Sequence, residues 1–430
     1  MDLLRITREL LDTGPLCNAC LGRVVADRSF GLTNIERGKA LRVTAAIDED
    51  IEYKRPDPDA CWVCEGHCNE YETWAERVAE EARDYEFNTY QVGTRVPPLI
   101  EENDRLLRED ADLPSDAGES FKSAFNREVG KRVGALTDSQ VDFERPDILA
   151  VLNLERGDVD LQVNPAFVYG RYRKIERDIP QTEWPCRECG GSGKQFGDEG
   201  EVPCEHCDGE GYLYPTSVEE EVSPHVKEAM NGEEALFHGA GREDVDALML
   251  GTGRPFVVEV KNPAIRTPDI EALQKTINDH ADGVEVDGLQ LATHTMVERV
   301  KELDASKVYR ATVQFDDPID SSTLSAALDE LEGTTIEQFT PQRVDHRRAS
   351  QTRTRDVYAA GGELVDETTA TITIDGEGGL YIKELVSGDD GRTTPSLAGL
   401  VNTGATVTEL DVIAVEGEDE EFEQEDHLIA

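Results

Sequence analysis

Eight of the nine cysteines come as four Cys-x-x-Cys knuckles gathered at two places, and this limits the possible folds more than any other feature of the chain. The first pair is Cys17-Asn-Ala-Cys20 and Cys61-Trp-Val-Cys64; the second is Cys186-Arg-Glu-Cys189 and Cys204-Glu-His-Cys207. Two knuckles supply four thiolates, enough to close a tetrahedral site with no position left for a substrate. The expected ligand sets are therefore Cys17, Cys20, Cys61 and Cys64, and Cys186, Cys189, Cys204 and Cys207, the second with the short spacing of a zinc ribbon. Cys68 reads as a spare thiol and His67 as a solvated imidazole. The N-terminal MDLLRITREL carries charges where a secretory leader needs an apolar run, and no stretch of about 18 apolar residues occurs. A cytoplasmic chain keeps its thiols reduced, which favours metal over disulfides.

The net charge is −48, from 91 acidic and 43 basic residues. Disorder is not the expected outcome, because 38% of the chain is hydrophobic and the apolar residues are periodic. Of the basic residues 12 are Lys and 31 Arg, a bias of acidic, Lys-poor proteomes adapted to salt-rich cytoplasm. At roughly 1 M salt the Debye length is about 3 Å, so self-repulsion is largely screened and a polyanionic partner is not excluded.

The 430 residues allow about three domains on a prior of roughly 150 each. Helical spacing runs over 72–83 through Trp74, Val78 and Ala82, and over 120–133 through Phe121, Ala124, Phe125 and Val129. Strands are expected at 147–153, 158–163, 256–261, 307–315, 369–374 and 406–415, with helices at 270–277 and 322–331. Helices and strands do not alternate strictly, so the fold class is α+β, with a mixed or antiparallel sheet carrying helices. No long internal repeat is visible, and 416–426 reads as an acidic, unstructured run.

Two basic islands stand out. Arg171, Arg173, Lys174 and Arg177 surround Tyr172 and follow Tyr169, while Arg343, Arg347, Arg348, Arg353 and Arg355 have only Asp345 among them. Guanidinium groups pair bidentately with phosphate and aromatic rings stack on unpaired bases, which points to RNA; internal salt bridges with the abundant carboxylates are the plainer alternative. The string Gly190-Gly-Ser-Gly-Lys194 imitates a phosphate loop, but Glu188 and Gln195 occupy positions that need Gly and Ser or Thr. It is a knuckle turn, and no Gly-rich dinucleotide cradle is found elsewhere.

Gly241-Arg-Glu-Asp-Val-Asp246 followed by Gly251-Thr-Gly-Arg-Pro-Phe256 places carboxylates in a Gly-rich loop before a strand, with an Arg on each side. This pair of motifs resembles the catalytic motif of the archaeal tRNA pseudouridine synthases that act on uridines 54 and 55. The resemblance continues through Lys307-Val-Tyr309-Arg-Ala, Arg343-Val-Asp-His-Arg-Arg348, Tyr381-Ile-Lys383-Glu and Gly391-Arg-Thr-Thr-Pro-Ser396, and covers nearly the whole chain. Cys17-Asn-Ala-Cys20-Leu-Gly-Arg and Phe87-Asn-Thr-Tyr-Gln-Val-Gly-Thr94 resemble the family's zinc module and its THUMP RNA-binding domain. Ala247-Leu248 departs from the Val-Arg expected in relatives.

The resemblance implies a cofactor-free isomerase with Asp244 as nucleophile and Lys383 as its cationic partner. Tyr309 would stack on the flipped uracil, and Tyr381, Ile382 and Leu410 would line the pocket, although Tyr309 and Leu410 are equally natural core residues of strands. The implied layout is a zinc module at 1–70, a THUMP-type domain at 71–178, a zinc ribbon at 179–214, the catalytic domain at 215–415 and an acidic tail at 416–430. Expected partners are tRNA and two structural zinc ions, with no membrane and no protein partner. The alternative is a zinc-built RNA-binding or chaperone-like adaptor without catalysis.

Overall fold

The computed structural model describes residues 2–197, 200–303, 305–344, 350–415 and 427–429. Arg347, Arg348 and the acidic run 416–426 lie outside the described residues. The chain divides into two compact units, one of 1–165 with 262–266 and one of 166–261 with 267–430. No described helix is long and apolar enough to cross a membrane.

The first unit holds a four-stranded sheet in the order β2-β1-β3-β4, built from β1 (Thr89–Arg95), β2 (Gln140–Val141), β3 (Ile148–Asn153) and β4 (Asp158–Val163). β1 runs parallel to β2 and β3, and β4 returns antiparallel. Helices Tyr71–Glu81 and Phe121–Thr137 bury the apolar stripes read from sequence, with the Tyr71 and Phe125 rings 5.3 Å apart. One core joins Cys17, Cys20, Cys61, Cys64 and Cys68 to Trp74, Phe125, Ile148 and Leu152, so the cysteine module and the sheet share their interior.

The second unit contains β5 (Ala166–Lys174), β6 (Lys194–Gly197), β7 (Gly200–Pro203), β8 (Glu234–Gly239), β9 (Leu248–Lys261), β10 (Val284–Ala292), β11 (Lys307–Phe315), β12 (Thr335–Phe339), β13 (Thr352–Leu364), β14 (Thr369–Gly376), β15 (Thr393–Thr394) and β16 (Ala405–Val415). Ten of these form one sheet, ordered β10-β5-β9-β16-β11-β14-β13-β12-β15 with β8 on β9. Pairing is antiparallel except between β9 and β16, where Leu248–Met249 meet Asp411–Val412 in parallel. The sheet is therefore mixed, as the absence of strict alternation predicts. β6 and β7 form a separate hairpin between the two ribbon knuckles.

The segment 166–174, assigned by sequence to the first RNA-binding domain, is the inner strand β5 of this sheet, hydrogen-bonded to β9 on one side and β10 on the other. Its alternation explains the residues around the first basic island. Tyr169, Tyr172 and Lys174 are fully buried, while Arg171 and Arg173 are partly exposed.

Candidate active site

The loop 240–247 joins β8 to β9 and carries Asp244. Glycines on either side of it allow close approaches. Gly251 takes a left-handed φ of 58°, and any Cβ there would meet the Ile413 carbonyl of β16 at 1.8 Å, so only Gly allows β9 and β16 to come together. Gly239 at the other end leaves room for the Gln181 side chain, which a Cβ would meet at 2.6 Å.

A cavity of about 300 Å³ opens beside the loop. Asp244, Tyr309, Tyr381, Ile382, Lys383 and Leu410 all line it, although they come from a loop, two strands and a short helix. Tyr309 on β11 faces Val412 of β16, and Leu410 pairs with Ala311 two positions along. Tyr381 precedes the helix Ile382–Ser387, and Gln338 holds its peptide from both sides. Gln338 Oε1 accepts from Tyr381 N at 2.9 Å, and Gln338 Nε2 donates to Tyr381 O at 3.0 Å. Tyr381 Oη is buried with no hydrogen-bond partner among the described residues.

Lys383 Nζ lies 3.1 Å from Asp244 Oδ2 and 3.4 Å from Asp246 Oδ2. Arg343 reaches the other Asp244 oxygen at 3.6 Å. Arg343, which the sequence placed on an RNA track, is exposed on the cavity wall and held by Glu384, Nε to Oε1 at 2.7 Å, with its guanidinium 5.9 Å from the Tyr381 ring centroid. Burial pushes the Tyr309 phenol up to about 12, with the Asp244 charge adding to the rise and Arg254 opposing it.

Behind the loop lies a buried polar group that sequence reasoning missed. Glu243 forms a close ion pair with Arg254, Nε to Oε2 at 2.8 Å, and its two oxygens stand 3.0 and 2.9 Å from the Tyr172 hydroxyl. Lys174 Nζ lies 3.8 Å from Glu243 and donates to the carbonyls of Ile179 at 2.8 Å, Val245 at 2.9 Å and Asp244 at 3.3 Å. Lys174 is therefore fully buried and ties down the main chain of the loop. Burial lowers its pKa, opposed by the charges of Glu243 and Asp246. The available signal was strand alternation, which puts Lys174 on the same face as Tyr172.

The rest of the first island is also engaged within the protein. Arg173 pairs with Glu285 at 3.1 Å; Arg177 pairs with Asp411 at 2.8 Å and donates to the Asp246 carbonyl at 2.7 Å. Arg171 donates to the carbonyls of Gly253 and Val415, each at 3.3 Å. In the second island Arg355 pairs with Glu377 at 3.3 Å and Arg353 donates to Thr340 Oγ1 at 3.3 Å. Tyr169 and Tyr172 are sealed in the sheet and have no face to offer a base.

Two four-cysteine clusters could hold metal ions. The second is Cys186, Cys189, Cys204 and Cys207, as spacing indicates. The first is Cys17, Cys20, Cys64 and Cys68, so Cys68 takes the place expected for Cys61. After Cys64 the chain turns through left-handed Glu65 (φ 51°) and Gly66 (φ 91°) into the turn His67–Asn69, which folds Cys68 back toward Cys20. Cys61 is buried beside the cluster, near Cys17 and Cys20. Sulfur separations of 3.8 Å (Cys17–Cys64), 3.9 Å (Cys20–Cys68), 3.8 Å (Cys186–Cys204) and 3.7 Å (Cys189–Cys207) match the edge of about 3.8 Å of a tetrahedron with 2.3 Å metal–sulfur bonds. The ribbon is a repeat at an offset of 18: Gly193 N donates to Cys189 Sγ as Gly211 N donates to Cys207 Sγ.

Residues 74–153 match the family model of the archaeal Pus10 THUMP domain and residues 167–416 that of the Pus10 C-terminal domain, which makes the chain an enzyme of the pseudouridine synthase class with a THUMP module. The tRNA pseudouridine synthase Pus10 of Halorubrum lacusprofundi is 63% identical over 427 residues, covering 99% of both chains. That of Methanothrix thermoacetophila is 40% identical over 443 residues, covering 97% of this chain and 95% of that one. The chain belongs to the tRNA pseudouridine synthase Pus10 family. Among solved structures, a Cbf5-Nop10-Gar1 complex is similar over 47% of this chain and 46% of that one, at 20% identity and a TM-score of 0.30.

Proposed function

We propose that this protein isomerises uridine 54, uridine 55 or both in the TΨC loop of tRNA, with Asp244 as the nucleophile. The observation that carries the reading is the pairing of Asp244 with Lys383 at 3.1 Å on the wall of a cavity that Tyr309 and Tyr381 also line. The reaction breaks the bond from N1 to the ribose, turns the uracil and rejoins it through C5. C5 loses a proton and N1 gains one, so atoms and electrons balance without a redox partner.

In this scheme the target base leaves the loop stack and enters the cavity against the Tyr309 ring. Ile382 and Leu410 exclude water from the base, and Lys383 and Arg343 orient the Asp244 carboxylate for attack. The protonated Tyr309 phenol is placed to relay the C5 proton, passing its own proton on toward N1 as it takes up the one from C5. Tyr381 Oη offers a hydrogen bond to a uracil edge. Zinc in the two cysteine clusters is structural in this reading, since four thiolates leave no position for substrate. The THUMP module and the ribbon bind and orient tRNA, and the enzyme works in the cytoplasm.

The test is to incubate the protein with unmodified tRNA transcript in concentrated KCl and to map pseudouridine. Conversion at loop positions without added cofactor is expected. Asp244→Asn should lower turnover about a thousandfold or more while tRNA affinity stays within about twofold. Retained turnover in that variant would overturn the assignment of the nucleophile.

A further inference from the structure

The ribbon insert rises from a stem that is fastened to the Asp244 loop at four points. Asp178 N donates to the Val245 carbonyl at 3.1 Å. Lys174 Nζ bridges the carbonyls of Ile179 and Val245. Gln181 Nε2 donates to the Gly241 carbonyl at 2.9 Å and to the Tyr172 hydroxyl at 2.9 Å. The fourth point is Trp184, whose ring lies under the guanidinium of Arg242, Cζ to centroid 4.8 Å.

Trp184 is itself held by the ribbon. Its carbonyl accepts from Leu213 N at 3.0 Å, Pro185 bridges to Tyr212, and the Tyr214 ring meets it edge-on at 5.4 Å, so both strands of the ribbon base converge on it two residues before the ligand Cys186. Arg242 is exposed, lines the Asp244 cavity, and has no carboxylate within ion-pair distance among the described residues. In a chain of net charge −48 that combination is unusual: the guanidinium is held by a ring face and its N–H groups stay open. An RNA phosphate matches that fork of donors.

We propose that Trp184 is a positioning residue: the ribbon presents its ring so that Arg242 is preset at the cavity rim as a contact for an RNA phosphate. This rests on the reading of Asp244 as the reacting group of a tRNA-modifying site. Presetting lowers the entropy lost when the guanidinium binds, so its signature is in substrate binding more than in turnover. The ribbon then acts on the reaction through one side chain.

A double-mutant cycle tests this, using the full-length protein with tRNA transcript at fixed KCl: parent, Trp184→Ala, Arg242→Ala and the double variant. Trp184→Ala should raise KM about two- to fivefold with kcat nearly unchanged, the size expected for loss of a cation–π contact. In the Arg242→Ala background the same change should have no further effect. Trp184→Phe, which keeps a ring face, should restore most of the affinity, and metal content should stay at the parent value. Trp184→Leu, which keeps apolar volume without the ring face, serves as the second variant and should behave as Trp184→Ala. An equal loss in the Arg242→Ala background, or an unchanged KM in Trp184→Leu, overturns the proposal. Absence of pseudouridine with the parent protein overturns the reading of the site, and the cycle is then read from tRNA affinity alone.

Discussion

Glu243, the residue before Asp244, forms an ion pair with Arg254 at 2.8 Å in which both side chains are almost wholly buried. Glu243 also serves Lys174 and Tyr172, so one carboxylate balances two buried cations. Replacing it with Gln leaves buried Arg254 without its ion-pair partner and Lys174 with only the charges of Asp246 and Asp178, and breaking such a buried pair costs about 3–5 kcal/mol. Glu243→Gln should lower the free energy of unfolding by an amount in that range, measured by denaturant titration in concentrated KCl. An unchanged midpoint would show that the pair contributes nothing.

Lys174→Met removes two hydrogen bonds to loop carbonyls, Asp244 and Val245, and a third to Ile179, while keeping an aliphatic stem in the same space. Leaving buried acceptors unmet costs about 1–3 kcal/mol. The loop that carries Asp244 should loosen, with kcat down about tenfold and tRNA affinity unchanged, read from single-turnover kinetics and filter binding. The reverse pattern, weak binding with normal turnover, would return Lys174 to the RNA surface where its sequence neighbours first suggested it.

Tyr309 carries a pH signature. Its phenol is raised from 10 to about 12 in the folded protein, chiefly by burial. Between those values the unfolded chain releases the proton and the native state keeps it, so stability is complete below pH 10 and is lost as pH rises toward 12. The loss amounts to about 2 kcal/mol. Tyr309→Phe should lack it, so its unfolding free energy relative to the parent should be flat up to about pH 9 and improve by that amount by pH 12. Parallel curves for the two proteins would refute the burial of this hydroxyl.

What could be read from the chain followed its periodicity and spacing. The strand 307–315 and the helices around Trp74 and Phe125 were legible because each buries one face, and alternation or a helical stripe records that directly. β5 was not, because its first half is buried at every position and its alternating second half is threaded with Arg and Lys, which read as a cluster of charge. The cavity residues came from resemblance, since nothing local distinguishes a pocket-lining Tyr309 from a core tyrosine. The burial of Lys174 was not legible because a charge in sequence says nothing about the carbonyls waiting for it in the fold. The ion pairs of Arg173 and Arg177 likewise needed three dimensions, with Glu285 and Asp411 each more than a hundred residues away.

The first cysteine cluster gives the sharpest contrast between spacing and geometry. Cys61 and Cys64 form a knuckle in sequence, yet the sulfurs that gather are those of Cys17, Cys20, Cys64 and Cys68. If these are the ligands, Cys68→Ser should release one of two metal ions per chain, whereas Cys61→Ser should retain both. Metal analysis of the purified proteins counts the ions. Because the cluster sits in the core that also contains Trp74 and Phe125, the Cys68 variant should lose cooperative unfolding of the first unit as well. Metal loss on changing Cys61 instead of Cys68 would restore the spacing-based assignment and show that the left-handed turn at Glu65 and Gly66 does not set the ligand set.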